Sequence, residues 1–351
     1  MADEFPGYLA SMIGGLTDSL NFFSKLTSKR TLNASKIFSS YQYARWNGVP
    51  SIKGMPISIA FEPTTSCNLR CPECPSGLRS FTRPTGMLAS GLFRSVIDQL
   101  APTLNYLTFY FQGEPYLHPE FLEMVRYASK KGIYTATSTN AHFLKDDLAQ
   151  ATVQSGLDRL IISIDGTSQG TYQSYRVGGS LEKVVSGAQN IIQWKKKLHS
   201  KTPHVVFQFL VVKPNEHQIP EVYQLAKTVG ADQVVLKTAQ IYDYKNGSSL
   251  IPDQNKYSRY KKNPDGSYAI KNKLLSECWK MWHSCVITWD GKIVPCCFDK
   301  DAHYTLGDLT KNSFSEIWTG EKYNQFRASL FQSRNEIEMC KNCTEGTKVW
   351  S

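Results

Sequence analysis

The amino-acid sequence predicts an α/β fold: a partial (β/α)6 TIM-like barrel followed by a small cysteine-rich domain with a β-hairpin. Three observations predict it. Six short strand-like runs alternate with helical patterns between residues 57 and 237, as parallel βα units do. The periodicity stops over residues 240–275, and beyond it apolar runs flank Asp290-Gly291, a strong hairpin signal. Nine cysteines fall in groups, one just behind the first strand pattern and the others around that hairpin.

Residues 1–55 form an N-terminal extension that precedes any strand pattern. Leu9, Met12, Ile13, Leu16, Leu20 and Phe23 recur at helical spacing, which predicts one amphipathic helix packed by that stripe on the main domain. Lys25, Lys29, Arg30 and Lys36 follow it, so a membrane-surface or partner-docking role is the alternative. The barrel is assigned to residues 56–240. Its strands are expected at 57–61, 106–111, 134–137, 160–164, 205–212 and 234–237, with helices at 121–130, 181–194 and 220–229 among those between them. Units this short in series favour a curved, partly closed barrel over a flat doubly wound sheet. Residues 241–275, rich in Tyr, Lys, Asn and Gly, read as a linker across the barrel mouth, and 276–351 as the cysteine-rich domain.

With 351 residues, 41% apolar and 20% charged, the chain has ample material for a core, and collagen-like, coiled-coil and disordered classes are excluded. Forty basic residues against thirty acidic ones leave a formal charge of +10, but the cations are spread along the chain, so no nucleic-acid partner is expected. No run approaches the roughly 20 apolar residues of a membrane span, and no secretory signal opens the sequence. A cytoplasmic location is therefore expected. In that reducing compartment, grouped cysteines bind metal more often than they pair.

Cys67, Cys71 and Cys74 stand at C-x3-C-x2-C spacing just past the first strand, where no glycine-rich phosphate loop is present. Thiolates so spaced suit zinc or an iron-sulfur cluster. A structural zinc site takes four protein ligands, and the next histidine, His118, lies beyond a whole βα unit. Three ligands leave an open coordination position.

At these residues the sequence resembles the radical SAM superfamily. The resemblance implies a [4Fe-4S] cluster whose open iron chelates S-adenosylmethionine (SAM), reductive cleavage of SAM to a 5′-deoxyadenosyl radical, and hydrogen-atom abstraction from a substrate. The superfamily's SAM-binding positions follow in order: Gln112-Gly113-Glu114-Pro115 after the second strand, resembling G-G-E-P with Gln112 for the first glycine; Ser138 and Asn140 after the third; Ser163 and Asp165 after the fourth; then Arg176. All sit at or beyond the C-terminal ends of strands, where barrels gather their active sites. One departure is Glu73, which stands before the third cysteine where the superfamily commonly has an aromatic residue at the adenine; Phe81, Tyr110 or Phe111 would have to replace it.

Behind the linker, Cys278-x12-Gly291-x4-Cys296 and Cys340-x2-Cys343 supply four thiolates that fully enclose a metal. On the residues alone zinc and iron are equally suited. The order resembles the SPASM/twitch extension of radical SAM enzymes, which implies one auxiliary [4Fe-4S] cluster. Cys285 and Cys297 are left over as buried small hydrophobes, with replacement of a ligand, or hydrogen donation to a substrate radical, as the alternative.

The resemblance implies a radical SAM enzyme that oxidises or otherwise modifies a C–H bond of a small molecule, served by an electron donor such as flavodoxin or ferredoxin. A maturase acting on a ribosomally made peptide or protein side chain is the alternative; a non-catalytic metal-stapled binding protein is a further one. His118, His142, Tyr110, Tyr242 and Tyr244 lie near the mouth by topology, but none is assigned as acid or base.

Overall fold

The computed structural model describes residues 5–345, with side chains described from Gly15 onward. Six strands, β1 (Ser58–Phe61), β2 (Tyr106–Thr108), β3 (Tyr134–Thr139), β4 (Arg159–Ser163), β5 (His204–Val211) and β6 (Gln233–Thr238), pair in parallel in chain order. Parallel neighbours need crossovers, and the helices Ser90–Leu100, Phe121–Lys130, Asp146–Gln154, Leu181–Lys197 and Ile219–Val229 supply them. Each is apolar on one face. In the helix Phe121–Lys130, the buried Phe121, Met124, Val125 and Ala128 repeat at i, i+3, i+4 and i+7, and its other face is polar.

The segment read as a linker carries structure of its own. A separate hairpin, β7 (Tyr260–Lys262) and β8 (Tyr268–Ile270), is fixed by the buried Tyr260, which stacks on Tyr244 at 4.5 Å and donates to Asn342 Oδ1 at 2.9 Å. Strands of three residues hold too few apolar positions to leave a periodicity.

The Asp290-Gly291 hairpin forms as expected, between β9 (Ser284–Ile287) and β10 (Lys292–Val294), with Gly291 at φ 83° in the turn. It is not set apart from the barrel. β9 pairs in parallel with β1, from Ser58 opposite Ser284 to Phe61 opposite Ile287, and β11 (Gly307–Asp308) adds beyond β10. One sheet of order β11-β10-β9-β1-β2-β3-β4-β5-β6 results. An incomplete barrel leaves the outer edge of β1 bare, and the hairpin satisfies those backbone groups.

The N-terminal extension forms two helices, α1 (Phe5–Ser24) and α2 (Ser28–Asn47). The expected packing of α1 is reversed. Leu9, Met12 and Ile13 lie outside the described side chains, but Leu16, Leu20 and Phe23 face outward and are more than half exposed. The barrel-facing side is largely polar: Asp18 accepts from Tyr134 and Arg159, Asn21 donates to Asp158 at 2.8 Å, and Phe22 packs edge-on against Tyr134. These partners open β3 and β4, so α1 crosses the floor of the barrel. The strands present polar groups there, and the helix turns its polar stripe to them. α2 instead buries Ile37, Tyr41 and Ala44, with Tyr41 against Trp279 and Trp282. Among the described residues no helix is long and apolar enough to cross a membrane.

Asp158, 3% exposed, joins extension to barrel: Lys25 Nζ reaches both its oxygens at 2.6 and 2.5 Å, and Thr135 N donates to it at 2.8 Å. Removing it strands a part-buried ammonium. Asp158→Ala is expected to lower unfolding stability by about 3 kcal/mol, read from urea denaturation midpoints, whereas exposed Asp147→Ala stays within about 0.5 kcal/mol.

Candidate active site

The loop after β1 brings Cys67, Cys71 and Cys74 together at the C-terminal mouth of the barrel, where Cys67 and Cys74 pack on the cluster that buries Leu69, Cys71 and Tyr175. Cys74 caps the short helix Pro75–Leu78. Cys67 Sγ accepts from Leu69 N at 3.4 Å, and burial pushes this thiol up to about 11. Burial also raises Cys71, against the pull of Arg176. Thiols held protonated by desolvation would give up their protons to solvent only on binding a cationic metal centre, whose charge compensates the buried thiolates.

The second-strand loop is laced onto this one. Gly113 N donates to Ser76 Oγ at 2.9 Å, Glu114 N to Ser66 O at 2.8 Å, and the Cys74 thiol lies 3.7 Å from Gln112 Oε1. Gly113 sits at φ +76°, and a Cβ there would come within 2.1 Å of Thr64 O. Only glycine fits. Glu114, 2% exposed, binds the third loop: its carboxylate accepts from Thr139 Oγ1 at 2.7 Å, Asn140 N at 2.8 Å and Tyr116 N at 3.3 Å. Burial raises it to about 7 against those three donors.

Asn140 extends the network to the cysteine loop, donating to Asn68 Oδ1 at 2.8 Å, and Ser138 meets Ser163 at 3.5 Å between β3 and β4. Asp165 is fully enclosed. One oxygen accepts from Leu210 N at 2.7 Å and the other from Arg176 Nε at 2.5 Å, while Arg176 Nη1 approaches Cys71 Sγ at 3.7 Å. Asp165 thus holds Arg176, and Arg176 reaches the thiol. Pro115 begins the short turn Pro115–Leu117. Sequence reasoning missed Ser76, Thr139 and Asn68, which buttress the loops; small polar residues beside a motif carry no signal of their own. Glu73, in the usual aromatic position, ties the loop to the segment after β6 by accepting from Tyr242 N at 2.9 Å.

Cys278, Cys296, Cys340 and Cys343 line one narrow cavity with Lys280 and Arg334. Arg334 is 1% exposed, with Nη2 3.6 Å from Cys343 Sγ and Nε without a hydrogen-bond partner. A buried guanidinium among four thiols fits an anionic thiolate-bound cluster. A lone arginine before Cys340 could not be singled out from sequence. Neither leftover cysteine lines this cavity: Cys285 is buried on β9 as expected, whereas Cys297, expected to be buried too, is exposed, because it follows Cys296 directly and turns to the opposite side. Among the described residues no three His, Cys, Asp or Glu side chains converge as ligands of a single ion; a polynuclear cluster spans a wider set of thiolates.

A cleft of about 770 Å³ lies where the segments after β6 and β10 meet the cysteine loop, lined among others by Pro75, Tyr242, Tyr244, Lys300, Asp301 and Tyr304. Lys300 Nζ contacts Tyr242 Oη at 3.0 Å, and Asp301 accepts from Thr82 N at 3.0 Å.

A profile of the Radical SAM superfamily matches residues 61–226, and one of the SPASM iron-sulfur cluster-binding domain matches 278–344. The chain is a radical SAM enzyme with a SPASM domain. Among its relatives are a tungsten-containing aldehyde ferredoxin oxidoreductase cofactor-modifying protein of Pyrococcus furiosus, 27% identical over 82% of this chain and 86% of the relative, and a PqqA peptide cyclase of Gluconobacter oxydans, 24% identical over 84% of each. The fold matches Streptococcus suis SuiB bound to S-adenosylmethionine with a TM-score of 0.62 at 12% identity, over 88% of this chain and 76% of that one. As a radical SAM enzyme it works with an iron-sulfur cluster and SAM, and its SPASM domain carries auxiliary iron-sulfur binding, which removes zinc and the non-catalytic reading.

The raised Glu114 makes a signed prediction. Between about pH 4.5 and 7 its unfolded form ionises while the folded form keeps the proton, so its contribution to stability falls as pH rises through that window and levels off above it. The wild-type minus Glu114→Gln difference in unfolding free energy of the apoprotein should fall by about 3 kcal/mol across it, read by urea titrations at each pH.

Proposed function

We propose that this enzyme abstracts a hydrogen atom from a polar small molecule seated in the cleft between the cysteine loop and the SPASM region, with net oxidation or other C–H modification as the outcome. Cys67, Cys71 and Cys74 hold the catalytic [4Fe-4S] cluster; Cys278, Cys296, Cys340 and Cys343 hold one auxiliary [4Fe-4S] cluster. When bound, the first cluster and SAM supply a 5′-deoxyadenosyl radical and the auxiliary cluster supplies an electron acceptor.

The chain's residues position and shield. Gly113 lets the backbone of Gln112 to Pro115 approach closely, and Glu114 fixes that loop to Asn140 and keeps acceptor capacity for an ammonium. Ser138 and Ser163 offer hydroxyls from adjacent strands. Asp165 acts at one remove by orienting Arg176, whose remaining N–H groups suit a carboxylate. Glu73 ties the loop to the segment after β6 on the cleft side by accepting from Tyr242 N.

The observation that carries the reading is the cleft itself, which lies within the range of small-molecule sites and is lined by tyrosines with charged groups of both signs. A peptide is the second reading, supported by the open rim and by PqqA peptide cyclases among the relatives. Nine free thiols support a reducing, cytoplasmic setting, with a flavodoxin or ferredoxin as electron donor.

Anaerobic reconstitution should give about eight irons per chain, and dithionite with SAM should release 5′-deoxyadenosine. Cys71→Ala should lose about half the iron and all nucleoside release; Cys340→Ala with Cys343→Ala should lose the other half and retain release. Full activity of Cys71→Ala would overturn the assignment. Stimulation of release by the peptide fraction of an extract, and not by its small-molecule fraction, would exchange the two substrate readings.

A further inference from the structure

The outward stripe of α1 calls for an occupant. Leu16, Leu20 and Phe23 recur at i, i+4 and i+7, and each is more than half exposed, diametrically across the helix from the barrel-facing Asp18, Asn21, Phe22 and Lys25. α2 repeats the arrangement. Its buried side is Arg30, Asn33, Ile37, Ser40, Tyr41 and Ala44, and its outer side presents Leu32, Tyr43 and Trp46, the last 80% exposed. Single exposed apolar residues need no explanation, but two successive helices that each present theirs at helical spacing, on the side turned away from the protein body, do.

The charge around that face selects its partner. Between Asp18 and Glu62 the sequence contains no acidic residue, while Lys25, Lys29, Arg30, Lys36, Arg45 and Lys53 supply cations. Of these, Lys25, Arg30 and Arg45 are engaged with the body of the protein through Asp158, Gly132 O and Glu277. Lys29, Lys36 and Lys53 are exposed, and the first two lie on the outer side of α2 with Leu32 and Tyr43. Aliphatic side chains, a Tyr and Trp pair, lysines and no acid are the composition of an interfacial helix on an anionic surface. A protein interface of this kind would bring carboxylates of its own to place the partner, and neither helix carries one on its outward side.

We propose that α1 and α2 seat this enzyme on an anionic lipid bilayer. The geometry leaves the enzyme accessible, because α1 covers the floor of the barrel at the starts of β3 and β4 while the cysteine loop and the cleft lie at the opposite, C-terminal ends. The face lies in the membrane plane and does not span it.

The test is flotation of the reconstituted holoenzyme with phosphatidylcholine vesicles and with mixed phosphatidylcholine–phosphatidylglycerol vesicles. Binding should rise more than about tenfold with the anionic lipid and fall with salt. The triple variant Leu16→Ser, Leu20→Ser, Phe23→Ser should lose binding, and Lys29→Glu with Lys36→Glu should lose the preference for anionic lipid. Both variants should release 5′-deoxyadenosine at the wild-type rate, since neither touches the site. Absence of flotation, or binding equal in the triple variant, overturns the proposal. A lipid-free dimer that sediments as a monomer after the triple substitution also overturns it, by assigning the face to a second copy.

Discussion

Parallel pairing of β1 with β9 is the constraint on which the rest of the structure depends. Because the two strands run the same way side by side, the cysteine loop that follows β1 and the turn that follows β9 emerge at one end of one sheet. Glu62, at the end of β1, makes this permanent: it is fully buried, receives Arg83 at 2.8 and 2.5 Å, and accepts from Trp289 N at 3.2 Å in the hairpin turn. The Trp289 ring then lies against Gly86, where a Cβ would come within 2.6 Å of it. A loop that must present three thiols is thereby braced by residues more than two hundred positions away. Burying a paired carboxylate and guanidinium offers little net stability, but it leaves Glu62 Oε2 held where Trp289 N of the hairpin turn can donate to it.

The barrel was legible because its six strands and amphipathic helices repeat a strong period, and strand ends fell within a few residues of those expected. The two cysteine groups were legible because cysteine is rare and its spacing is chemical. What escaped detection is instructive. Asp165 belongs to the expected set, yet its enclosure and its two bonds to residues on other elements, Leu210 and Arg176, are visible only in the structure. Arg334 is a single arginine in a polar helix end, informative only once it is seen among four thiols. The orientation of α1 was read from its apolar stripe alone. Periodicity identifies which residues share a face, whereas the polar groups at the floor of the barrel decide which face is turned inward.

The site is built on positioning through neighbours. Glu114 links the second loop to the third, Asn140 links the third to the first, and Arg176 returns from beyond the fourth strand to the first. The first two links are short hydrogen bonds of 2.8 Å and the third a 3.7 Å approach to sulfur, each between loops carried by different strands. The rigidity such a ring confers is what a reactive radical requires of its surroundings, since stray encounters with nearby side chains would consume it.

The distance in sequence between β1 and β9 also orders events in time. A chain emerging from the ribosome completes its thiol triplet long before Ser284 is made, so the loop exists for most of synthesis without Trp289 behind it or Asp301 beneath Thr82. Contacts of such separation form late and slowly. The thiol loop therefore acquires its bracing only after the C-terminal quarter has been made and has folded back.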